Sequence, residues 1–314
     1  MVKIFVGAGA AFLLAIFASY LLIPATVVFS KVIHLNTSAA TAERAFSSST
    51  ERLKWWPRQA SKTADSIGKQ RHTLGEYAYA FPGQYFSGSI ISIHHGQQKF
   101  NSSIHVVSFR VDSIALKWKS ELPATNNPFK RISNYSTALD FKKNMAQILD
   151  SLDLYLRNDI KVYGVEVIEE RVKDTILIST RWTSAVYPST EMIYQKISGL
   201  KDYIKAANGM ETNYPMLNIF SDGGQYVNMV AIPVNKELPQ NDKFVLKKMI
   251  PGKILTTEVT GGVRSPMVAV KNLEQYIEEH KLTSPAIPFE SLITNRIQEK
   301  DSTKWVTKVY YPIY

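Results

Sequence analysis

The sequence predicts an α+β chain of two domains behind one N-terminal transmembrane helix, and three observations predict it. Residues Ile4 to Ser30 carry no charged side chain, a run longer than the roughly 20 residues with which a helix crosses a bilayer. A series of strand-like runs between Thr73 and Glu121 is closed by a long helical pattern that ends at Leu156. After it, the order strand, helix, strand, strand comes twice before Ile313. With 314 residues, 45% hydrophobic and 20% charged, two domains is the natural count. The expected boundaries are an anchor over 1–30, a first domain over 31–158 and a second over 159–314.

The anchor is centred on Phe12-Leu13-Leu14-Ala15-Ile16-Phe17 and implies a single-pass membrane protein. A cleaved signal peptide competes with it, although Lys3 is the only charge before the run and no A-x-A site follows. The side of the membrane stays open, since Lys3 faces Lys31 and the more distant Arg44, Arg52 and Lys54. Gly7-Ala8-Gly9-Ala10-Ala11 has no strand before it and is no dinucleotide fingerprint. The formal charge of +10 lies almost wholly in residues 1–160, with 18 basic against 10 acidic side chains. Arg52, Lys54, Arg58, Lys62, Lys69 and Arg71 form either a solvated basic face or a surface that leans on anionic lipid. No helix-turn-helix, zinc-finger or RNA-binding pattern is present, so nucleic acid is not an expected partner. The absence of cysteine excludes disulfides, thiolate metal sites and cysteine nucleophiles together.

Past the anchor, Val27–Leu35 reads as a strand, and Asn36-Thr37-Ser38 supplies cap residues for a helix over Ala39–Phe46. A short helical piece, Ser49–Trp55, leads into Trp55-Trp56-Pro57. Strand-like runs follow at Gly75–Phe81, Tyr85–His94, Ser103–Val111 and Ser113–Ser120, with turn signals at Phe81-Pro82-Gly83 and His95-Gly96. Phe141, Met145, Ile148, Leu149, Leu152 and Leu156 then recur at helical spacing within Pro128–Leu156. Strand, short helices, antiparallel meander and long closing helix resemble the helix-grip fold of the START-like superfamily, which includes the polyketide cyclases. That resemblance implies an apolar cavity beneath the long helix and carries over no catalytic residue.

In the second half, Val162–Glu169 and Thr175–Thr183 read as an antiparallel pair turning at residues 170–174. Ser189-Thr190 caps a helix to about Ala207, which Asn208-Gly209 stops. Leu217–Phe220 and Gln225–Ile232 flank the turn Asp222-Gly223-Gly224. The second round runs through Lys243–Thr260, a helix over Ser265–His280, and a closing pair, Phe289–Asn295 and Trp305–Ile313. Pro288-Phe289-Glu290 at the start of the penultimate strand, and Trp305-Val306-Thr307-Lys308-Val309-Tyr310-Tyr311-Pro312 at the end, resemble the GyrI-like small-molecule-binding (AraC-type effector-binding) domain. The resemblance spans about residues 161–314 and implies two pseudo-symmetric β-α-β-β modules around a cleft for hydrophobic, often cationic, ligands.

Glu290 is the first candidate for a functional group. On an alternating strand it shares a side with Leu292 and Thr294, and the resemblance places it on the family's pocket acid. A salt bridge to Arg296, Lys304 or Lys308 is the structural reading of the same residue. Trp182, Tyr226, Trp305 and Tyr311 are candidate aromatic walls for a cation or a flat apolar ligand, and core packing accounts for each of them equally well. His94, His95 and His105 fall on adjacent strands, but His94 and His95 face opposite sides and no acidic ligand joins them, so no metal is expected. Val259-Thr260-Gly261-Gly262 reads as a strand-to-helix turn rather than an anion cradle. No catalytic residue and no cofactor are assigned. The function expected is membrane-anchored binding of a small hydrophobic or cationic amphipathic molecule. Two alternatives stand beside it: a detoxifying hydrolase using Glu290 with Tyr226 or Tyr187, as the resemblance implies for some members, and a structural or partner-binding envelope protein.

Overall fold

The computed structural model describes residues 16–18, 20–57, 72–85 and 87–314. The chain is mixed α+β and divides into two compact units, Met1–Asn158 and Asp159–Tyr314.

In the first unit a six-stranded antiparallel sheet is built from β1 (Val27–Leu35), β2 (His72–Leu74), β3 (Tyr77–Tyr85), β4 (Gly88–His95), β5 (Gln98–Arg110) and β6 (Ser113–Leu122), in the order β1-β6-β5-β4-β3-β2. Two short helices, α1 (Ala39–Ser47) and α2 (Ser49–Trp55), follow β1, and Ser38 caps the first by accepting from the Thr41 N–H at 3.0 Å. The long helix α3 (Pro128–Leu156) starts with Pro128 in its first turn and Asn127 as cap, the preferred opening of a helix. The Phe141 ring meets those of Phe29, Tyr77, Tyr79, Phe100 and Trp118 at centroid distances of 5.2 to 6.0 Å. Those rings occupy the space between helix and sheet where the resemblance implies an apolar compartment.

The expected transmembrane helix and single-pass membrane localisation are corrected. Among the described residues no helix is long and apolar enough to cross a membrane. The expected span over residues 4–15 lies outside the described residues. In the remainder, helical backbone ends at Leu22, two residues before Pro24, where the proline ring disfavours helical backbone in the residue before it. Val27, Val28, Phe29 and Ser30 then belong to β1, registered against Leu122, Glu121, Ser120 and Lys119 of β6. Their apolar character serves a half-buried strand, whose burial alternates residue by residue.

The second unit carries one eight-stranded antiparallel sheet and two long helices. Its elements are α4 (Asp159–Tyr163), β7 (Ile168–Arg171), β8 (Ile176–Ser184), α5 (Thr190–Ala206), β9 (Met216–Asp222), β10 (Gln225–Pro233), β11 (Val245–Lys248), β12 (Lys253–Thr260), α6 (Arg264–Glu279), β13 (Phe289–Leu292) and β14 (Val306–Ile313). The sheet order is β11-β8-β10-β9-β13-β14-β12-β7. Two modules, β8-α5-β9-β10 and β12-α6-β13-β14, therefore join edge to edge through β9 and β13. Gly223 and Gly224, at φ 56° and 82°, form the two-residue turn between β9 and β10, where both positions need the left-handed region. The expected pairing of Val162–Glu169 with Thr175–Thr183 is not what forms. Residues 159–163 are helical, and β7 pairs with β12 while β11 pairs with β8. Each module thus receives its edge strand from the segment preceding the other module, and β7 and β8 stand at opposite sides of the sheet.

Candidate functional site

The alternation of β13 decides where Glu290 sits. It stands opposite Leu217 of β9 and Val309 of β14, so all three share one face of the sheet. Leu217 and Leu292 pack there against Ile193, Ile197, Leu200 and Ile204 of α5. The second helix, α6, lies on the same face, with Glu274 reached by the Tyr311 hydroxyl at 3.5 Å. Glu290 is therefore at the join of the two modules, on the side that both helices cover.

Around the acid the chain builds a polar cluster inside an apolar face. Arg296, in the loop between β13 and β14, brings Nη2 to 3.7 Å from Glu290 Oε2, with the two side chains only 4% and 15% exposed. Arg296 is held by Nη2 donating to Thr307 Oγ1 at 2.8 Å, by its backbone N–H donating to the Tyr194 hydroxyl at 2.9 Å, and by the Trp305 ring 5.1 Å below the guanidinium. Burial pushes the Glu290 carboxyl up to about 7 against the opposing pull of Arg296. The ion pair and the raised value point in opposite directions. Desolvation wins because 3.7 Å is long for a direct pair and little water reaches either group.

Tyr187, in the loop after β8, is pushed up to about 12, first by burial and then by the charge of Glu290. Its ring meets that of Tyr226 edge-on at 5.6 Å. Trp182 and Asn228 stand directly opposite each other on β8 and β10. Asn228 donates through Nδ2 to the Ser184 hydroxyl at 3.0 Å, while its Oδ1 and the Trp182 indole N–H are buried without a partner. Thr257 Oγ1, on the strand beyond Val309, and Arg296 Nε are in the same condition. Unpartnered buried polar atoms are few in a folded chain, and here four lie on the face around one carboxylate.

Of the residues singled out from sequence, Glu290, Tyr226 and Trp305 come to this cluster, and Trp182 lies on the same face with the Lys196 ammonium 5.7 Å from its ring centre. The Trp305 indole N–H donates to the Glu299 carbonyl at 2.9 Å. Tyr311 is drawn instead toward α6 and Glu274. Arg296 entered only as a possible partner of Glu290. Asn228 was not anticipated, although one asparagine in the otherwise apolar middle of β10 is a readable signal. His94, His95 and His105 hold no metal cluster, and none is found among the described residues. His95 stacks on Tyr77 at 4.3 Å and His105 lies beside the Tyr85 hydroxyl at 3.0 Å. An apolar cavity of about 340 Å³ also belongs to this unit, but its walls include none of the five sequence candidates. No Asp or Glu side chain lines it, whereas the polar cluster described above is centred on Glu290.

No protein-family model and no curated protein matches the sequence. Among solved structures, the C-terminal domain of EcmrR is 16% identical, covering 48% of this chain and 98% of that one, with a TM-score of 0.41. SAV2435, solved bound to tetraphenylphosphonium, is 16% identical over 48% of this chain and 94% of its own, with a TM-score of 0.31. A START superfamily protein from Mycobacterium smegmatis is 15% identical over 40% and 96%, with a TM-score of 0.29. Likenesses this low leave the chemistry of the site to its own residues.

Proposed function

We propose that residues 159–314 form a GyrI-like binding domain for a small cationic amphipathic or hydrophobic molecule, with Glu290 as the acid that meets the ligand's charge, and that 31–158 is a separate helix-grip domain. The observation that carries this reading is a desolvated carboxylate, held near neutrality, amid aromatic rings and unpartnered polar atoms. A lipophilic cation recovers the electrostatic energy that burial has cost Glu290, in a medium where charge pairs are stronger than in water. Tyr187, Tyr226, Trp182 and Trp305 supply ring faces and edges for its apolar body.

Arg296 acts as a built-in competitor. Its guanidinium already sits over Trp305 and beside the acid, so an incoming cation must share or displace it. The domain then discriminates by charge and shape rather than by apolar area alone.

A hydrolase is the second reading, favoured by the Glu290 carboxyl being poised near 7, where a general base works best. The Tyr187 hydroxyl, pushed up to about 12, remains protonated at neutral pH and fit to donate.

The test is quenching of tryptophan fluorescence by tetraphenylphosphonium in the full chain and in Glu290→Gln. Saturable quenching at pH 8, weakened about tenfold or more by the substitution, is the expected result. Equal affinity in both proteins contradicts the reading. Turnover of an epoxide, lost in Glu290→Gln, moves the assignment to the hydrolase.

A further inference from the structure

Two of the unpartnered polar atoms belong to residues that face each other across neighbouring strands. Trp182 of β8 and Asn228 of β10 are direct cross-strand partners, and their side chains leave the sheet on the face that carries Leu217 and Glu290. Asn228 is wholly buried. Its Nδ2 donates to the Ser184 hydroxyl at 3.0 Å and to the Tyr226 and Trp182 carbonyls at 3.2 and 3.4 Å. The Ser184 hydroxyl itself donates to the Val186 carbonyl at 2.8 Å, so all three neighbours present lone pairs to the amide. That fixes which way the amide lies, because turned over it would set Oδ1 against three acceptors. Oδ1 therefore points away from them, buried and without a partner, and the indole N–H of the facing Trp182 is buried without one as well.

An acceptor and a donor left open on facing residues suit one guest group that does both. A hydroxyl does so through a single atom, donating to Asn228 Oδ1 and accepting from the Trp182 N–H. The rest of the guest is set by what lies between this pair and the acid. Asn228 stands two strands across and two residues along from Glu290, with β9 between them, roughly 12 Å from Cα to Cα at ordinary strand spacing and rise. Tyr226 is the neighbour of Asn228 on the same face of β10, and its ring meets that of Tyr187. Tyr187 in turn lies close enough to Glu290 to feel its charge, so the two rings connect the ends of the site. A flat aromatic body against them carries an ammonium to one end and a hydroxyl to the other.

We propose that the site takes a hydroxyaryl alkylamine: the ammonium meets Glu290, the aromatic ring lies against Tyr187 and Tyr226, and the hydroxyl binds between Asn228 and Trp182. This rests on the reading of Glu290 as the acid that meets a cation, and adds what stands at the ligand's other end. Asn228 and Trp182 then set specificity, since an amine without the hydroxyl covers the same two polar atoms and leaves them unpaired.

Calorimetric titration of the full chain at pH 8 with tyramine, and with phenethylamine, which lacks only the hydroxyl, tests it. Tyramine is expected to bind about tenfold or more tightly than phenethylamine, and this preference to collapse in Asn228→Leu and in Trp182→Phe. Each substitution removes a buried polar atom that has no partner, which costs the fold little, and a preference between two amines in one protein is independent of that protein's stability. Equal affinity of the two amines in wild type, no binding of tyramine, or a preference unchanged in both variants overturns the proposal. Failure of the underlying reading looks different: tyramine then binds Glu290→Gln as tightly as wild type, which overturns both. Tetraphenylphosphonium held through Glu290, with no preference for tyramine, keeps the role of the acid and removes only the hydroxyl site.

Discussion

Glu290 is pulled two ways, by burial that favours its neutral form and by Arg296 that favours its charge. The folded chain therefore keeps a proton on this group up to about pH 7, whereas the unfolded chain releases it near the ordinary value of 4.5. Between those values the native state binds more protons, so stability falls as pH rises through the window and is level above it, by about 3 kcal/mol in all. Urea unfolding of wild type is expected to show that fall, and Glu290→Gln to flatten it; an unchanged slope in the variant would mean that the acid is not desolvated. Arg296→Met removes the internal cation, and tetraphenylphosphonium is expected to bind at least tenfold more tightly to it at pH 8.5, measured by the same quenching titration. Weaker binding would show that Arg296 helps to build the site instead of competing for it. At this scale the acid was legible because a carboxylate inside Phe289–Leu292 has few structural uses. Arg296 was less so, since its place depends on a loop whose path no periodicity records.

At the scale of elements the closing helix of the first unit is the clearest case. Phe141 is fully buried and touches five rings, so Phe141→Ala is expected to cost about 3 to 5 kcal/mol by leaving a cavity that the flanking strands cannot close. Chemical denaturation reads this directly, and a loss below about 1 kcal/mol would show that the rings repack. Ser189, whose hydroxyl accepts from the Met192 N–H at 3.2 Å, caps α5, and Ser189→Ala is expected to cost about 1 kcal/mol. These helices were readable because cap chemistry and 3.6-residue spacing are local. Pairing of β7 with β12 was not. A short turn suggests that neighbours in sequence pair, yet the partner of an edge strand is settled by which sheet edge is open, a property of the finished module.

The whole molecule holds two compact units, each with its own buried core. If each unfolds by itself, calorimetry should resolve two transitions, with Phe141→Ala lowering one and Glu290→Gln altering only the other. A single transition moved by both substitutions would contradict independent folding. The charge-free run near the start illustrates a limit of reading hydropathy along the chain. Its last residues are apolar because β1 is half-buried against β6, not because they face lipid. Two modules around Glu290 were legible as an order of elements, while its cross-strand neighbours Leu217 and Val309 needed the register. The most direct measurement is the titration of the Glu290 carboxyl itself, by carbon NMR of selectively labelled protein with and without tetraphenylphosphonium. The account predicts a midpoint near 7 in the free chain, falling once the cation is bound; a midpoint at the ordinary glutamate value, unmoved by the cation, would contradict it.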